Sequence, residues 1–170
     1  MNSVERRKYI EEVLIKSDSA QKGNDLAHEL SVTRQIIVKD IAILRAEGKK
    51  IIATPDGYIV PSDQKCYIKR VVAISHSAEQ IQDELEIIVK FGGIIEDVII
   101  EHPIYGEIRG MLMIKTLFGI QNFIEKVKSN NAEPLSMLTG GVHLHTIVVE
   151  NEDILDKILT ELKNKGYLIS

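Results

Sequence analysis

The run Val142-His143-Leu144-His145-Thr146 holds two histidines two residues apart. On a strand that spacing turns both imidazoles to one face, roughly 7 Å apart. Two imidazoles so placed can chelate a divalent transition ion. His76 is the candidate third ligand, from a neighbouring strand, and a carboxylate is wanted as the fourth. Glu84 is the candidate on the helix that follows His76, with Glu79 and Asp83 as local competitors. Eight residues of helix would span about 12 Å, so His76 must precede the helix and the chain must bend back. A bare HxH pair is a weak signal, because it also describes a half-exposed pair on any strand.

The elements that must position these residues follow from periodicity. Strands are predicted over 66–75, 94–101, 107–115 and 142–149, with a last short strand at 167–169. Helices are predicted over 78–91, where Ile81, Leu85, Ile88 and Val89 recur at helical spacing, over 117–129 and over 153–165. The order β-α-β-β-α-β is the ferredoxin-like pattern. Right-handed crossovers make the first strand parallel to the second and antiparallel to the third and fourth, with the fourth beside the first. His76, His102, His143 and His145 are then expected at one end of the sheet. A metal site there would lie outside the core, so that losing a ligand leaves the fold intact. The turn His102-Pro103-Ile104-Tyr105-Gly106 reads either as a rigid hairpin corner or as a pocket wall beside the metal. Arg109 reads either as a surface cation or as the partner of a carboxylate-bearing ligand.

The first 60 residues are organised differently. Asn24 is a predicted N-cap, and Leu26, Ala27 and Leu30 give a short apolar stripe. Ser31-Val32 makes a turn with Val32 as its apolar plug, and Thr33 is the next N-cap. Ile37, Ile41 and Leu44 face inward, and Gly48 ends the helix. Lys49 and Lys50 lead to a hairpin through Pro55-Asp56-Gly57. Helix, tight turn, helix and hairpin make a winged helix-turn-helix, which lays its second helix in the major groove of DNA. Thr33, Arg34, Gln35 and Lys39 lie near the start of that helix, where arginine can bond guanine and glutamine adenine in a bidentate way. Thr33, Arg34, Gln35, Lys39, Lys49 and Lys50 are the expected DNA contacts. His28 is expected to have no role.

Composition bounds the rest. The chain has 170 residues, 44% hydrophobic and 27% charged, with one cysteine. That is room for one or two domains with a real core, and no internal disulfide is possible. Cys66 is expected in the core. There is no apolar run near the roughly 20 residues that span a membrane, and the opening MNSVERRKYIEEVL is an amphipathic helix rather than a secretory leader. A cytoplasmic protein with no membrane association is expected. Residues 1–60 carry 10 Lys/Arg against 9 Asp/Glu, net +1, and residues 61–170 carry 11 against 16, net −5. The acidic part is expected to face away from DNA, and affinity would need a dimer and well-placed phosphate contacts. The boundary is placed in Pro61-Ser62-Asp63-Gln64, giving a DNA-binding domain over 1–61 and a metal- and ligand-sensing domain over 65–170. The fold class is α+β.

The segment DLAHELSVTRQIIVKDIAILRAEGKKIIATPDGYIV resembles the winged-helix domain of the biotin-repressor group. The segments SHSAEQIQDEL, EHPIYGEIRG and GGVHLHTIVVE resemble the 3H domain. The combination, over about residues 6–169, is similar to the niacin-responsive transcriptional repressors of NAD biosynthesis and niacin uptake. That resemblance implies a homodimer on double-stranded operator DNA, a divalent transition-metal site, and nicotinic acid as co-repressor. It implies metal ligands at His76, Glu84, His143 and His145, all present here. A set of three histidines and one glutamate accepts Zn, Ni, Fe, Co or Mn. From position, His102, Tyr105 and Arg109 are expected to hold the effector. The mechanism expected is a two-state repressor, in which ligand favours the dimer arrangement that matches half-sites about 10 bp or a multiple apart. The alternatives are a metal-responsive repressor with the ion as signal, and a metal-dependent hydrolase, for which no nucleophile or second base stands out. A biotin ligase is excluded by length.

Overall fold

The computed structural model describes residues 1–61 and 67–169. The chain divides into two compact units, Met1–Gln64 and Lys65–Ser170. Cys66 and most of the expected linker lie outside the described residues.

The first unit is built from α1 (Ser3–Lys16), α2 (Gly23–Glu29), α3 (Arg34–Ala46) and a hairpin of β1 (Ile52–Thr54) and β2 (Gly57–Ile59). Asn2 and Glu5 form a reciprocal cap that starts α1. Ile10, Leu14, Leu26, Ile37, Ile41 and Leu44 fill the core. Val32 packs against it from the turn, where Ser31 takes a left-handed conformation. One expectation fails. α2 begins after Lys22, so Asn24 lies inside the helix rather than capping it. The reason is upstream: Gln21 exchanges two main-chain hydrogen bonds with Tyr58, at 2.8 and 2.9 Å, and so bridges to the wing. The chain must leave that pairing directly into the helix. Gly57 is required there, since a Cβ at that position would meet Gln21 O at 2.3 Å.

The second unit runs β3 (Ile68–Ser75), α4 (Ile81–Lys90), β4 (Ile94–His102), β5 (Gly106–Ile114), α5 (Leu117–Ser129), β6 (Val142–Val149) and α6 (Glu152–Asn164). A 3-10 turn, Ala78–Gln80, leads into α4, and another, Leu135–Thr139, precedes β6. The second was not anticipated from periodicity, which a 3-10 segment of five residues does not display. The β-α-β-β-α-β order and all strand directions agree with the sequence. The lateral order is β3-β6-β4-β5. A ferredoxin-like sheet keeps its first and third strands inside; here the inner pair is β6 and β4, the fourth and second. The core unites Ile74, Ile95, Ile114 and Ile147 of the sheet with Leu85 and Ile88 of α4, Ile120 of α5, and Leu155, Ile158 and Leu162 of α6. The predicted last strand reduces to a bridge between Ile74 and Leu168.

Candidate metal centre and DNA-reading helix

His143 and His145 share a face of β6 with Ile147 and Val149, because side chains alternate along a strand. Residue 74 of β3 pairs with His143 and residue 72 with His145, so His76 stands just past the end of β3, beside the start of β6. The turn at 78–80 then folds the chain back, and α4 carries Glu84 over the same face. His76 Nε2 lies 3.0 Å from Glu84 Oε2, His143 Nε2 lies 3.8 Å from it, and His145 Nε2 lies 3.2 Å from Glu84 Oε1. Donor atoms of His76, Glu84 and His143 all fall within 4.8 Å of one another. Every side chain in the cluster is at most 4% exposed. The centre is therefore enclosed between sheet and helix, and the expectation of a site outside the core does not hold.

Each imidazole is aimed by its other nitrogen. His76 Nδ1 bonds Ser77 O at 2.8 Å, His143 Nδ1 bonds Gly141 O at 2.9 Å, and His145 Nδ1 bonds Asp97 O. A carbonyl only accepts, so each Nδ1 carries a proton; Nε2 is then a lone pair in the neutral ring and an N–H in the protonated one. Three Nε2 atoms then face a buried carboxylate whose Oε1 has no hydrogen-bond partner among the described residues. Such a set is stable only around positive charge. Burial alone would push His76 and His145 toward the neutral form, yet Glu84 holds both above the ordinary histidine range. Burial alone would raise Glu84, but the charge of His145 and the close approach of the three imidazoles hold its carboxyl well below the usual carboxylate range. A divalent ion would satisfy His76, Glu84 and His143 together, with His145 in reach on the other carboxylate oxygen, and the Nδ1–carbonyl bonds would supply the outer support that such ligands need.

Several supports of this cluster are not visible in its motif. Gly141 has a left-handed conformation, and a Cβ there would lie 2.2 Å from His76 O. The Gly140-Gly141 pair ahead of the HxH run was the signal that could have revealed it. Tyr167 packs edge-on against His76 at 5.3 Å between centroids and donates to Asp83 Oδ2 at 2.7 Å. Burial and that neighbour push its hydroxyl up to about 12. Asp83 is also bonded to Lys165, and Glu79 is exposed on the 3-10 turn, so neither competes with Glu84.

Beside the centre lies a recess whose empty volume, its open mouth included, is ≈ 330 Å³. Ile81, Leu85, Val98, Leu112, Phe123 and Leu135 line it, with Ser136, His143, His145 and Glu84 as its polar groups. The three expected effector contacts are not among the lining residues. His102 lies on the correct end of the sheet, but β4 stops pairing with β6 at Ile99, and the hairpin with β5 continues past it. His102 Nδ1 accepts from Ile104 N at 3.2 Å and so closes its own turn. Tyr105 is 74% exposed. Arg109 alternates to the other face of the sheet, where it pairs with Asp97 and Glu107.

In the first unit, α3 buries Ile37, Ile41 and Leu44 and leaves Arg34, Gln35, Val38 and Lys39 in solvent. Thr33 stands at the N-cap position, though its side chain makes no cap bond. Val38, 45% exposed, was missed as part of this outward face. Asp40 was also missed; it is buried and held by Arg6 Nε at 2.6 Å and Arg7 at 3.7 Å, tying α3 to α1. Lys49 Nζ lies 2.7 Å from Glu11, and Lys50 is exposed. His28 is exposed on α2. No helix among the described residues is long and apolar enough to cross a membrane.

Comparison with known proteins gives consistent results. Residues 6–59 match the model of an HTH domain, and residues 69–170 match the 3H domain. The chain is 46% identical over 165 residues to a protein of Thermotoga maritima named as a probable transcription repressor, NiaR, spanning 97% of this chain and 94% of that one. It is 39% identical over 159 residues to the transcription repressor NadR of Bacillus subtilis, spanning 92% and 88%.

Proposed function

This chain belongs to the 3H-domain family of HTH transcription repressors, and from that premise we propose that it represses niacin-uptake and NAD-biosynthesis genes with nicotinic acid as co-repressor. It is a DNA-binding regulator rather than an enzyme. It acts as a homodimer on double-stranded operator DNA, with a divalent transition ion held by His76, Glu84, His143 and His145.

The observation that carries this reading is the convergence of three imidazole Nε2 atoms on a buried carboxylate, next to an apolar recess. The recess suits a flat ring: Ile81, Leu85, Val98 and Phe123 supply apolar walls, and Ser136 supplies a hydroxyl. No lysine or arginine is among its lining residues in the described part of the chain. When bound, the ion supplies the Lewis acid that a pyridine nitrogen or carboxylate requires. Arg34, Gln35 and Lys39 stand on the exposed face of α3 and read the operator.

Calorimetric titration of nicotinate into metal-loaded wild-type protein and into Glu84→Gln protein tests the reading. Binding to the first and loss in the second is expected. Equal binding to both would place the effector away from this centre, and no binding to the loaded protein would leave the ion itself as the signal.

A further inference from the structure

Asp97 is fully buried in the middle of β4, and its carboxylate meets Thr146 and Arg109 on the face of the sheet opposite His145. It sits at a double irregularity of the sheet. Between Ile95 and Asp97, β4 carries one residue more than β6, and β5 carries one more than β4, with Met113 in a left-handed conformation. Bulges of this kind re-aim neighbouring groups and interrupt the ladder. Here the interrupted bonds are replaced by side chains. The Asp97 carboxylate accepts from Thr146 N at 2.9 Å, from Thr146 Oγ1 at 3.0 Å and from Arg109 at 2.9 Å. Its main-chain carbonyl, freed on the other side, accepts from His145 Nδ1. One residue thus links a half-exposed guanidinium on one face of the sheet to a centre on the opposite face.

We propose that Arg109 and Asp97 are positioning residues for His145: the ion pair fixes the bulge, and the bulge aims the carbonyl that sets the tautomer and direction of the imidazole. This assigns Arg109 a role through the sheet, in place of direct contact with a ligand. It rests on the reading of the centre as a metal site. The physical reason is that Asp97 without Arg109 is a buried carboxylate with only neutral donors, which relaxes by drawing toward solvent or water. Either movement shifts the carbonyl and turns the ring. Loss of an outer partner of a ligating histidine typically weakens metal binding about 10- to 100-fold.

The test uses the full chain, titrated with zinc and cobalt against a competing chelator, together with ¹⁵N NMR of the imidazoles in metal-free protein. Arg109→Ala and Asp97→Asn should each weaken metal binding by about 10-fold or more. The double variant should be little worse than either, because the two act in one chain. Arg109→Lys should restore part of the affinity. In the metal-free variants, at a pH alkaline enough to leave the imidazoles neutral, the His145 signals should shift from a single Nδ1–H tautomer toward a mixture, while those of His76 stay in place. Normal metal affinity and an unchanged His145 tautomer in Arg109→Ala would overturn the proposal. So would loss of nicotinate binding with metal affinity intact, which would make Arg109 a direct effector contact. If wild-type protein bound neither metal, the metal reading would fail, and the His145 signals would still test the link between the faces.

Discussion

A neutral histidine that donates from Nδ1 to a main-chain carbonyl has a lone pair at Nε2 free for an ion, and three rings held in this way surround Glu84. His143→Ala or His145→Ala should therefore remove most bound metal, as measured by elemental analysis; full occupancy in the double variant would rule out the centre. Because both rings are buried, each change should also lower the stability of the metal-free protein, by about 1–3 kcal/mol, since it leaves polar partners unmatched in the interior. Denaturant unfolding checks that cost. The histidine pair was legible because a strand repeats every two residues. The choice of Glu84 over Glu79 and Asp83 was not, because a helix start offers all three within two turns. The 3-10 turn decides it: Glu79 is left exposed, Asp83 turns toward Lys165 and Tyr167, and Glu84 turns inward. His102, Tyr105 and Arg109 were grouped with the centre from their closeness to one end of the sheet. Spacing alone did not show that the hairpin outruns β6 or that Arg109 alternates to the far face.

At the scale of elements, α3 presents Arg34, Gln35, Val38 and Lys39 outward and is anchored from behind by Asp40. Arg34→Ala should cost about 1–3 kcal/mol at a specific operator if it makes a bidentate base contact. Equal loss on specific and random DNA, in parallel titrations, would make it a phosphate contact instead. Lys49→Ala should weaken all sequences and reduce the salt slope, but by less than a free lysine would, because Glu11 already shares its charge. Arg6→Ala should destabilise the first unit by about 3 kcal/mol, since it strips the close partner from a buried carboxylate. A change under 1 kcal/mol would mean that Arg7 takes over fully. The winged helix-turn-helix could be read closely because each element has its own local signature: apolar spacing, Gly48 after the helix, and a Pro-Asp-Gly turn. Gln21 joining the wing could not, since a single bridging residue has no period. Likewise the β-α-β-β-α-β order constrains strand direction but not which strands lie inside. The bulge at Asp97 and the pairing of β6 with β4 are properties of the assembled sheet.

For the whole molecule, the acid excess sits in residues 61–170, which carry 16 Asp/Glu against 11 Lys/Arg. Only the first unit is close to balanced, so attraction to DNA must come from placed cations, which the proposed dimer would double. The central claim is thermodynamic. If nicotinate is a co-repressor, it binds the DNA-competent state more tightly, and operator DNA must tighten nicotinate binding by the same factor. The most direct measurement is an operator titration with and without nicotinate, on metal-loaded wild-type protein and on His76→Ala protein verified to be metal-free. Nicotinate should tighten operator binding in the loaded protein, by about 5- to 150-fold if the coupling is of ordinary size, and do little in the variant. An undiminished response in the metal-free variant, or none in the loaded wild-type protein, would contradict the account.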